Sequence, residues 1–128
     1  MITSHVYVIK DNESGRVHAV CSDLASAFRV LCRCHAHIRR HGSVEEWRID
    51  SDLQGDPERT FGLWQSFYEG GKMTKVVRGC QTNMRRAVTK HTSPHSGGIS
   101  YVVHVLAQAK FDAVVQIENL MREELQSD

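Results

Sequence analysis

The sequence predicts a single α+β domain in which a mixed or antiparallel sheet of about six strands carries two main amphipathic helices. Two kinds of pattern support this fold class: short runs of β-branched and aromatic residues separated by turn residues, and two longer segments with apolar residues at helical spacing. The chain has 128 residues, of which 41% are hydrophobic and 24% are charged. This composition is typical of a globular domain that buries its own core, so residues 1–128 are expected to form one unit.

The first predicted elements are a β-hairpin and a long helix. Residues 6–9 and 17–20 are rich in β-branched residues, and residues 11–15 between them supply turn chemistry. A continuous helix is expected over 24–41. Its apolar residues recur at steps of three and four, at Leu24, Ala27, Phe28, Leu31, His35 and Ile38. Because His35 lies on this stripe, we expect a buried, hydrogen-bonded histidine.

Six further elements are predicted after this helix. They are strands over 44–53, 60–68 and 73–77, a short helix or alternatively a strand near 82–88, a strand over 99–107, and a helix over 110–126. Strand alternation in the first of them places Trp47 and Ile49 toward the core and Glu46 on the opposite face. The expected element order is therefore ββαβββ(α)βα.

The charged residues are unevenly distributed along the chain. No aspartate or glutamate occurs between positions 70 and 111, where seven lysines and arginines stand with three histidines. A second acid-free segment, 24–44, contains four arginines. The formal net charge of +1 therefore conceals two strongly basic segments, which favours a partner or ligand of negative charge.

The predicted first helix carries one basic face. A rotation of 100° per residue places Arg29, Arg33 and Arg40 opposite the apolar stripe. Guanidinium groups present planar donor forks that match phosphate and carboxylate oxygens, so this face is suited to bind nucleic acid or an acidic protein surface. The alternative interpretation is a solvated helix face whose charge is balanced by nearby acids.

Basic and polar side chains are also concentrated between positions 81 and 98. This segment combines hydroxyl groups and two glycines with five candidate residues for binding a phosphate or a partner: Arg85, Arg86, Lys90, His91 and His95. Phosphate binding requires positive charge together with backbone and hydroxyl donors. Neither the Walker nor the dinucleotide glycine spacing is present, and an ordinary surface loop is the alternative.

Thiol and imidazole groups raise the questions of a metal site and of catalysis. Cys34, His37 and His41 lie at helical steps of three and four, and zinc takes both kinds of ligand. The Cys-x-Cys spacing at 32–34 would separate the two sulfurs on a continuous helix, so we expect no metal and no other cofactor. Cys80 with a histidine of the 81–98 segment is the remaining nucleophile pair, and its spacing gives catalysis no support.

Several classes of function are disfavoured by the sequence. The longest apolar run, 99–107, is interrupted by His104 and is too short to cross a bilayer. The first five residues lack the basic and apolar regions of an export signal, and the four cysteines are interpreted as free thiols. We therefore expect a cytoplasmic protein without membrane contact, and the composition is compatible with a homodimer.

The first 53 residues carry a resemblance to a class of proteins. The strand at 6–9, the segment Gly-Arg-Val-His-Ala-Val-Cys-Ser-Asp at 15–23, Ala27 in the helix and Glu-Glu-Trp-Arg-Ile-Asp at 45–50 resemble small phage and prophage accessory proteins. In such proteins a strand, a turn, a second strand, a capped helix and a third strand follow one another. The resemblance implies a non-enzymatic protein, and some members of this class inhibit host or anti-phage machinery, as anti-CRISPR proteins do.

These observations favour a binding protein without catalysis. We expect a phage-type inhibitor, acting in the host cytoplasm, that contacts a nucleic-acid-handling complex of the host or of a defence system through its basic surface. The alternative is a binder of phosphate-bearing ligands, either nucleic acid or a small nucleotide, that uses the acid-free segment 70–111. An enzyme that uses Cys80 with a histidine is the third hypothesis.

Overall fold

The structure, a computed structural model, describes residues 4–49, 55–79 and 87–127 of the chain. These residues form an α+β fold with eight strands and three helices, so the predicted α+β class is confirmed, whereas the sheet has more strands than the six predicted. In chain order the elements are β1 (His5–Asp11), β2 (Val17–Cys21), α1 (Leu24–Arg33), α2 (Ala36–His41), β3 (Gly42–Arg48), β4 (Arg59–Glu69), β5 (Lys72–Met73), β6 (Val77–Arg78), β7 (Val88–Thr92), β8 (Ile99–Ala107) and α3 (Lys110–Ser127).

The described strands form one open sheet, and each of their pairings is antiparallel. The strand order is β2-β1-β3-β4-β8-β7. The first residues of β4 pair with β3, and its later residues pair on the same edge with the short strands β5 and β6. Its other edge pairs with β8. The long strand β4 therefore connects the N-terminal hairpin to the C-terminal half of the sheet.

Hydrophobic clusters cover both faces of the sheet. On one face, α1 and α2 pack over the first strands and bury Ile9, Ala27, Leu31, Ile38, Val44, Phe61 and Leu63. On the other face, α3 packs over β8 and β4 and buries Val103, Val105, Ala113, Ile117 and Met121. Alternation along β4 explains this division, because Leu63 belongs to the first cluster and its neighbour Trp64 packs against the second.

The first helical segment is two helices rather than the single helix predicted. α1 ends at Arg33, Cys34 and His35 adopt extended backbone conformations, and α2 begins at Ala36. The two extended residues change the helical phase. As a result Ile38 still faces the core, whereas His35 is exposed at the start of α2. The prediction of a buried histidine at this position is therefore wrong.

The third strand buries the face opposite to the one predicted. Val44 and Glu46 are buried, Trp47 is half-buried and Ile49 is 40% exposed. Strand register determines this outcome, because Val44 joins the apolar cluster under α1 and Glu46 lies opposite Arg59, whose charge neutralises it. Alternation alone identifies the two faces of a strand without deciding which of them is covered.

The second half of the sheet differs in detail from the prediction. The strand expected over 73–77 is replaced by the two-residue strands β5 and β6, and Val88 begins a strand instead of ending a helix. Residues 82–86 of that expected helix lie outside the described residues. β4, β8 and α3 begin and end within one residue of their predicted bounds. Within the described ranges, no helix has both the length and the apolar composition that crossing a membrane requires.

Candidate functional site

Arg29 and Arg33 form an exposed basic face on α1. The helix is anchored at its start by Asp23, whose carboxylate accepts a hydrogen bond of 2.7 Å from the backbone N–H of Ser26. Arg29 donates to the hydroxyl of the same serine at 3.1 Å. No carboxylate in the described part of the chain forms an ion pair with either arginine. Both guanidinium groups are therefore accessible to a partner, although the pKa of Asp23, lowered mainly by its hydrogen bond from the Ser26 backbone, is lowered further by the charge of Arg29.

Arg40 lies on α2, so the predicted three-arginine face is divided between two helices. It is exposed, and α2 packs on the same face of the sheet as α1. Its stem lies against Gly79, where a Cβ atom would come within 3.2 Å of the Arg40 Cα. The φ of +95° at this glycine is one that other residues rarely adopt, so glycine permits the close approach. The backbone of Arg40 is thereby close to the residue that follows Arg78.

The predicted phosphate-binding set of the second half does not form one site in the residues that can be placed. Lys90 and His91 are exposed on the edge strand β7, and strand alternation directs them to opposite faces of the sheet. His95 is exposed in the turn that follows. Arg85 and Arg86 lie outside the described residues. A ligand on one face of the sheet therefore meets only one of the two β7 side chains.

Of the three residues considered for a metal site, the cysteine and the two histidines contact different parts of the protein. The Cys34 thiol donates to a carbonyl oxygen one turn earlier in α1 at 3.3 Å, and burial raises its pKa. The rings of His37 and His41 are 5.0 Å apart. His37 lies 3.2 Å from Asp11, and both histidines lie 3.6 Å from Glu13. The two imidazoles thus connect α2 to the acids at the end of β1 and in the turn that follows it, whereas the thiol is hydrogen-bonded to α1.

Glu46 is the centre of a polar network that the sequence did not reveal. Its side chain is buried in β3, and it accepts two hydrogen bonds from Arg59, at 2.8 and 2.6 Å, and one from the Tyr7 hydroxyl at 2.8 Å. The hydrogen bonds from Arg59 are the main reason that the pKa of Glu46 falls from 4.5 to about 2. These partners lie 13 and 39 residues away along the chain, so no local motif signals the network.

The same region contains three side chains whose spacing would allow a metal ion to bind. Ligand atoms of His5, Glu46 and Glu58 lie within 4.8 Å of one another, and His5 Nε2 is 2.7 Å from a Glu58 oxygen. Both oxygens of Glu46 are already bonded by Arg59 and Tyr7, and a guanidinium beside the group repels a cation. We therefore interpret this group as a structural ion-pair network, which also shifts pKa values.

His104 is fully buried in β8 and uncharged at neutral pH. Its Nε2 lies 3.3 Å from the Gln65 side-chain oxygen on the neighbouring strand. Burial, with a smaller contribution from Arg39, lowers its pKa from 6.5 to about 4. This imidazole therefore belongs to the interior and adds nothing to the basic surface.

Arg78 forms a second positively charged site, which the sequence analysis did not single out. Its guanidinium carbon lies 5.4 Å from the centre of the Trp64 ring. The guanidinium also covers Gly62 and borders a cavity of about 390 Å³. The acid-free segment 70–111 pointed to this region, but nothing local distinguishes Arg78 from the other six basic residues of that segment. Its position is decided by the pairing of β6 with β4.

The described chain thus offers exposed arginines on the helical layer, an arginine-lined cavity on the sheet, and a closed network around Glu46. No protein-family model matches the sequence, and no curated protein and no solved structure matches the chain. The placement of these side chains is therefore the basis for proposing a function.

Proposed function

We propose that this chain is a non-catalytic binding protein whose helical layer contacts an acidic surface of a partner protein through Arg29, Arg33 and Arg40. The observation that carries the proposal is that α1 displays two exposed arginines, neither of which forms an ion pair with a carboxylate of the described residues. Guanidinium groups bind carboxylates through paired hydrogen bonds. A basic face also steers an acidic partner into one orientation during encounter.

The state of the described cysteines favours binding over catalysis. Burial raises the pKa of the Cys21 and Cys34 thiols, which lowers the fraction of thiolate available for nucleophilic attack. Cys32 is buried in the core. Cys80, the cysteine considered for catalysis, lies outside the described residues. Contact through surface arginines requires none of these thiols.

The partner that we propose is a nucleic-acid-handling complex of a host cell or of an anti-phage defence system. The chain would inhibit this complex by covering a surface that the complex needs for its function. Two features support this choice: the resemblance of the first 53 residues to phage accessory proteins, and the two exposed arginines of α1 that form no ion pair within the described residues. A complementary acidic patch on the complex would supply both specificity and rapid association.

The test is affinity capture from a host-cell lysate with the purified chain and two charge-reversal variants. Arg29→Glu/Arg33→Glu changes α1, and Arg16→Glu/Lys72→Glu makes the same change of net charge at two exposed positions elsewhere. We expect the wild-type chain and the Arg16/Lys72 variant to retain one stoichiometric partner. The α1 variant should bind it about tenfold more weakly or worse, since each lost charged hydrogen bond costs about 1.5 kcal/mol or more.

Undiminished capture of that partner by the α1 variant would contradict the proposal. Both variants should unfold within about 0.5 kcal/mol of the wild-type chain, because the substitutions are on the surface. A gel-shift experiment with nucleic acid separates another possibility. A shift at low salt that weakens steeply with added salt, and that is lost in the α1 variant, would indicate that nucleic acid itself is the ligand of α1.

A further inference from the structure

The guanidinium of Arg78 is held in a fixed position on the sheet. Arg78 and Trp64 are cross-strand partners, and the guanidinium lies over the indole ring at 5.4 Å. The ring is itself oriented by a hydrogen bond of 3.3 Å from its Nε1 to the carbonyl oxygen of Ala107. A Cβ atom on Gly62 would lie 0.9 Å from Arg78 Nη1. The guanidinium therefore occupies the space that any side chain at position 62 would fill.

The described residues do not compensate the charge of Arg78. They supply no ion pair and no hydrogen bond to its guanidinium. The residue as a whole is exposed, yet contact with Trp64 and Gly62 removes part of the hydration of the guanidinium head, and this burial lowers the pKa of Arg78. A partly dehydrated cation gains more from a bound anion than a fully hydrated one.

The cavity beside the guanidinium is lined by groups that can hydrogen-bond to an anion. It measures about 390 Å³, and its polar walls come from Asn12, Ser43, Thr60 and Gln108. Of the described residues that line it, none is acidic. The Ser43 hydroxyl donates to Asn12 Oδ1 at 2.9 Å, so the NH₂ group is the end of that amide that remains to donate.

Glu45, the acid that strand register places on this face of the sheet, already has partners of its own. Glu45 lies opposite Thr60 in the pairing of β3 with β4. Its carboxylate accepts a hydrogen bond of 3.1 Å from Trp47 Nε1 and lies 3.7 Å from the Lys10 ammonium group. The negative charge of Glu45 is therefore partly neutralised before it can oppose an anion in the cavity.

We infer that this cavity binds a phosphate group, with Arg78 as its charged ligand and with the Thr60 hydroxyl and the amide NH₂ groups of Asn12 and Gln108 as neutral donors. The planar fork of a guanidinium matches two phosphate oxygens. The cavity falls in the lower part of the size range of small-molecule sites, so it admits more than a bare phosphate ion. The phosphate would thus belong to a free nucleotide or to a nucleic-acid strand. This site uses neither Arg29 nor Arg33, the α1 residues changed in the test of partner binding.

The experiment titrates three probes: inorganic phosphate, adenosine monophosphate, and a thymidine oligonucleotide of about ten nucleotides. The readout is the tryptophan fluorescence of the wild-type chain, to which Trp47 and Trp64 contribute, because Trp47 must stay in place to bond Glu45. We expect at least one probe to change this fluorescence and to raise the melting temperature. Arg78→Gln should raise Kd about tenfold to a hundredfold. The matched control Lys75→Gln removes an exposed charge from the same acid-free segment and should leave Kd within about twofold.

A second variant keeps the test decisive if Arg78→Gln fails to fold. Gly62→Ala retains the positive charge, but its Cβ displaces the guanidinium, so binding should weaken to a similar degree.

Tighter binding of adenosine monophosphate would identify a free nucleotide as the source, and affinity that increases with oligonucleotide length would identify a nucleic-acid strand. The inference is overturned if folded wild-type chain binds none of the three probes, or if both variants bind them as tightly as the wild type. Because α1 is unchanged in these variants, failure of this inference can be distinguished from failure of the proposed partner binding by α1.

Discussion

Two arginines, Arg59 at the start of β4 and Arg78 in the neighbouring strand β6, share one kind of local contact and differ in their electrostatic environment. The guanidinium of Arg59 lies 5.2 Å from the ring centre of Phe61, and that of Arg78 lies 5.4 Å from the ring centre of Trp64. Arg59 donates two hydrogen bonds to the buried carboxylate of Glu46. Arg78 has no such acid among the residues whose positions are known.

This difference separates a structural arginine from the one that we propose binds a ligand. Contact with an aromatic face positions both guanidinium groups and is worth about 0.5–1 kcal/mol at exposed sites. The charge of Arg59 is used inside the protein, where it neutralises a carboxylate that is otherwise removed from water. The charge of Arg78 faces a polar cavity. We therefore expect substitution of Arg59 to affect folding and substitution of Arg78 to affect ligand binding.

The largest effect is expected for Arg59→Gln. This change leaves the ionised Glu46, which is 3% exposed, without its counter-ion, and should lower the free energy of unfolding by ~3 kcal/mol. Urea denaturation at pH 7 measures it. The double variant Glu46→Gln/Arg59→Gln should recover more than half of the loss, because it leaves no buried charge. A loss below about 1 kcal/mol in the single variant would show that Glu46 does not depend on this pair.

The acid sensitivity of the same pair gives the next largest effect. Because the pKa of Glu46 is about 2 in the folded protein against an ordinary value of 4.5, its contribution to stability is complete above pH 4.5. It is lost as the pH falls from 4.5 toward 2, by an amount of ~2–3 kcal/mol. Urea midpoints measured across this range should fall less steeply in Glu46→Gln. An unchanged slope would assign the acid sensitivity to other groups.

His104 should make a separate, pH-dependent contribution of ~2 kcal/mol to the free energy of unfolding, and it acts at higher pH than Glu46 does. Its pKa is about 4 in the folded protein and ordinarily 6.5, so the unfolded chain binds the proton more readily between these values. The contribution of neutral His104 to stability is therefore complete above pH 6.5, and it is lost as the pH decreases from 6.5 to 4. His104→Gln should remove this pH dependence of the free energy of unfolding. It should leave unchanged the pH dependence below 4.5 that is due to Glu46. If the slope from 6.5 to 4 persists in that variant, the burial of His104 is not its cause.

The smallest effect is expected for Arg78→Gln. Loss of the contact with Trp64 should lower the free energy of unfolding by less than about 1 kcal/mol, because no buried carboxylate in the described chain loses a partner. The same urea experiment at pH 7 measures it. A loss comparable to that of Arg59→Gln would remove the distinction between the two arginines.

Elements that depend on local pattern could be predicted from the sequence. The hairpin of β1 and β2, the buried strand β8 and the helix α3 follow from β-branched runs, turn residues and helical periodicity. The break between α1 and α2 could not be predicted, because Cys34 and His35 mark no helix end and neither glycine nor proline stands there. The buried face of β3 also escaped prediction, because it carries the acid Glu46.

The candidate sites show the same division. Exposure of Arg29 and Arg33 follows from their helical phase relative to the apolar stripe, so the sequence alone indicates it. The roles of Arg59 and Arg78 do not follow from local pattern. Each depends on a residue in another strand, Glu46 in one case and Trp64 in the other. A single residue of slip in register would exchange the side chains that each arginine meets.

By itself, the sequence determined the α+β class, most of the strands and helices, and the presence of two acid-free basic segments, since these depend on composition and on periodicity over a few residues. Only the tertiary structure decided which positive charges are neutralised. Ion pairing requires approach within about 4 Å. That distance, between residues remote along the chain, is set by how β4 pairs with β3 on one stretch and with β6 on the next.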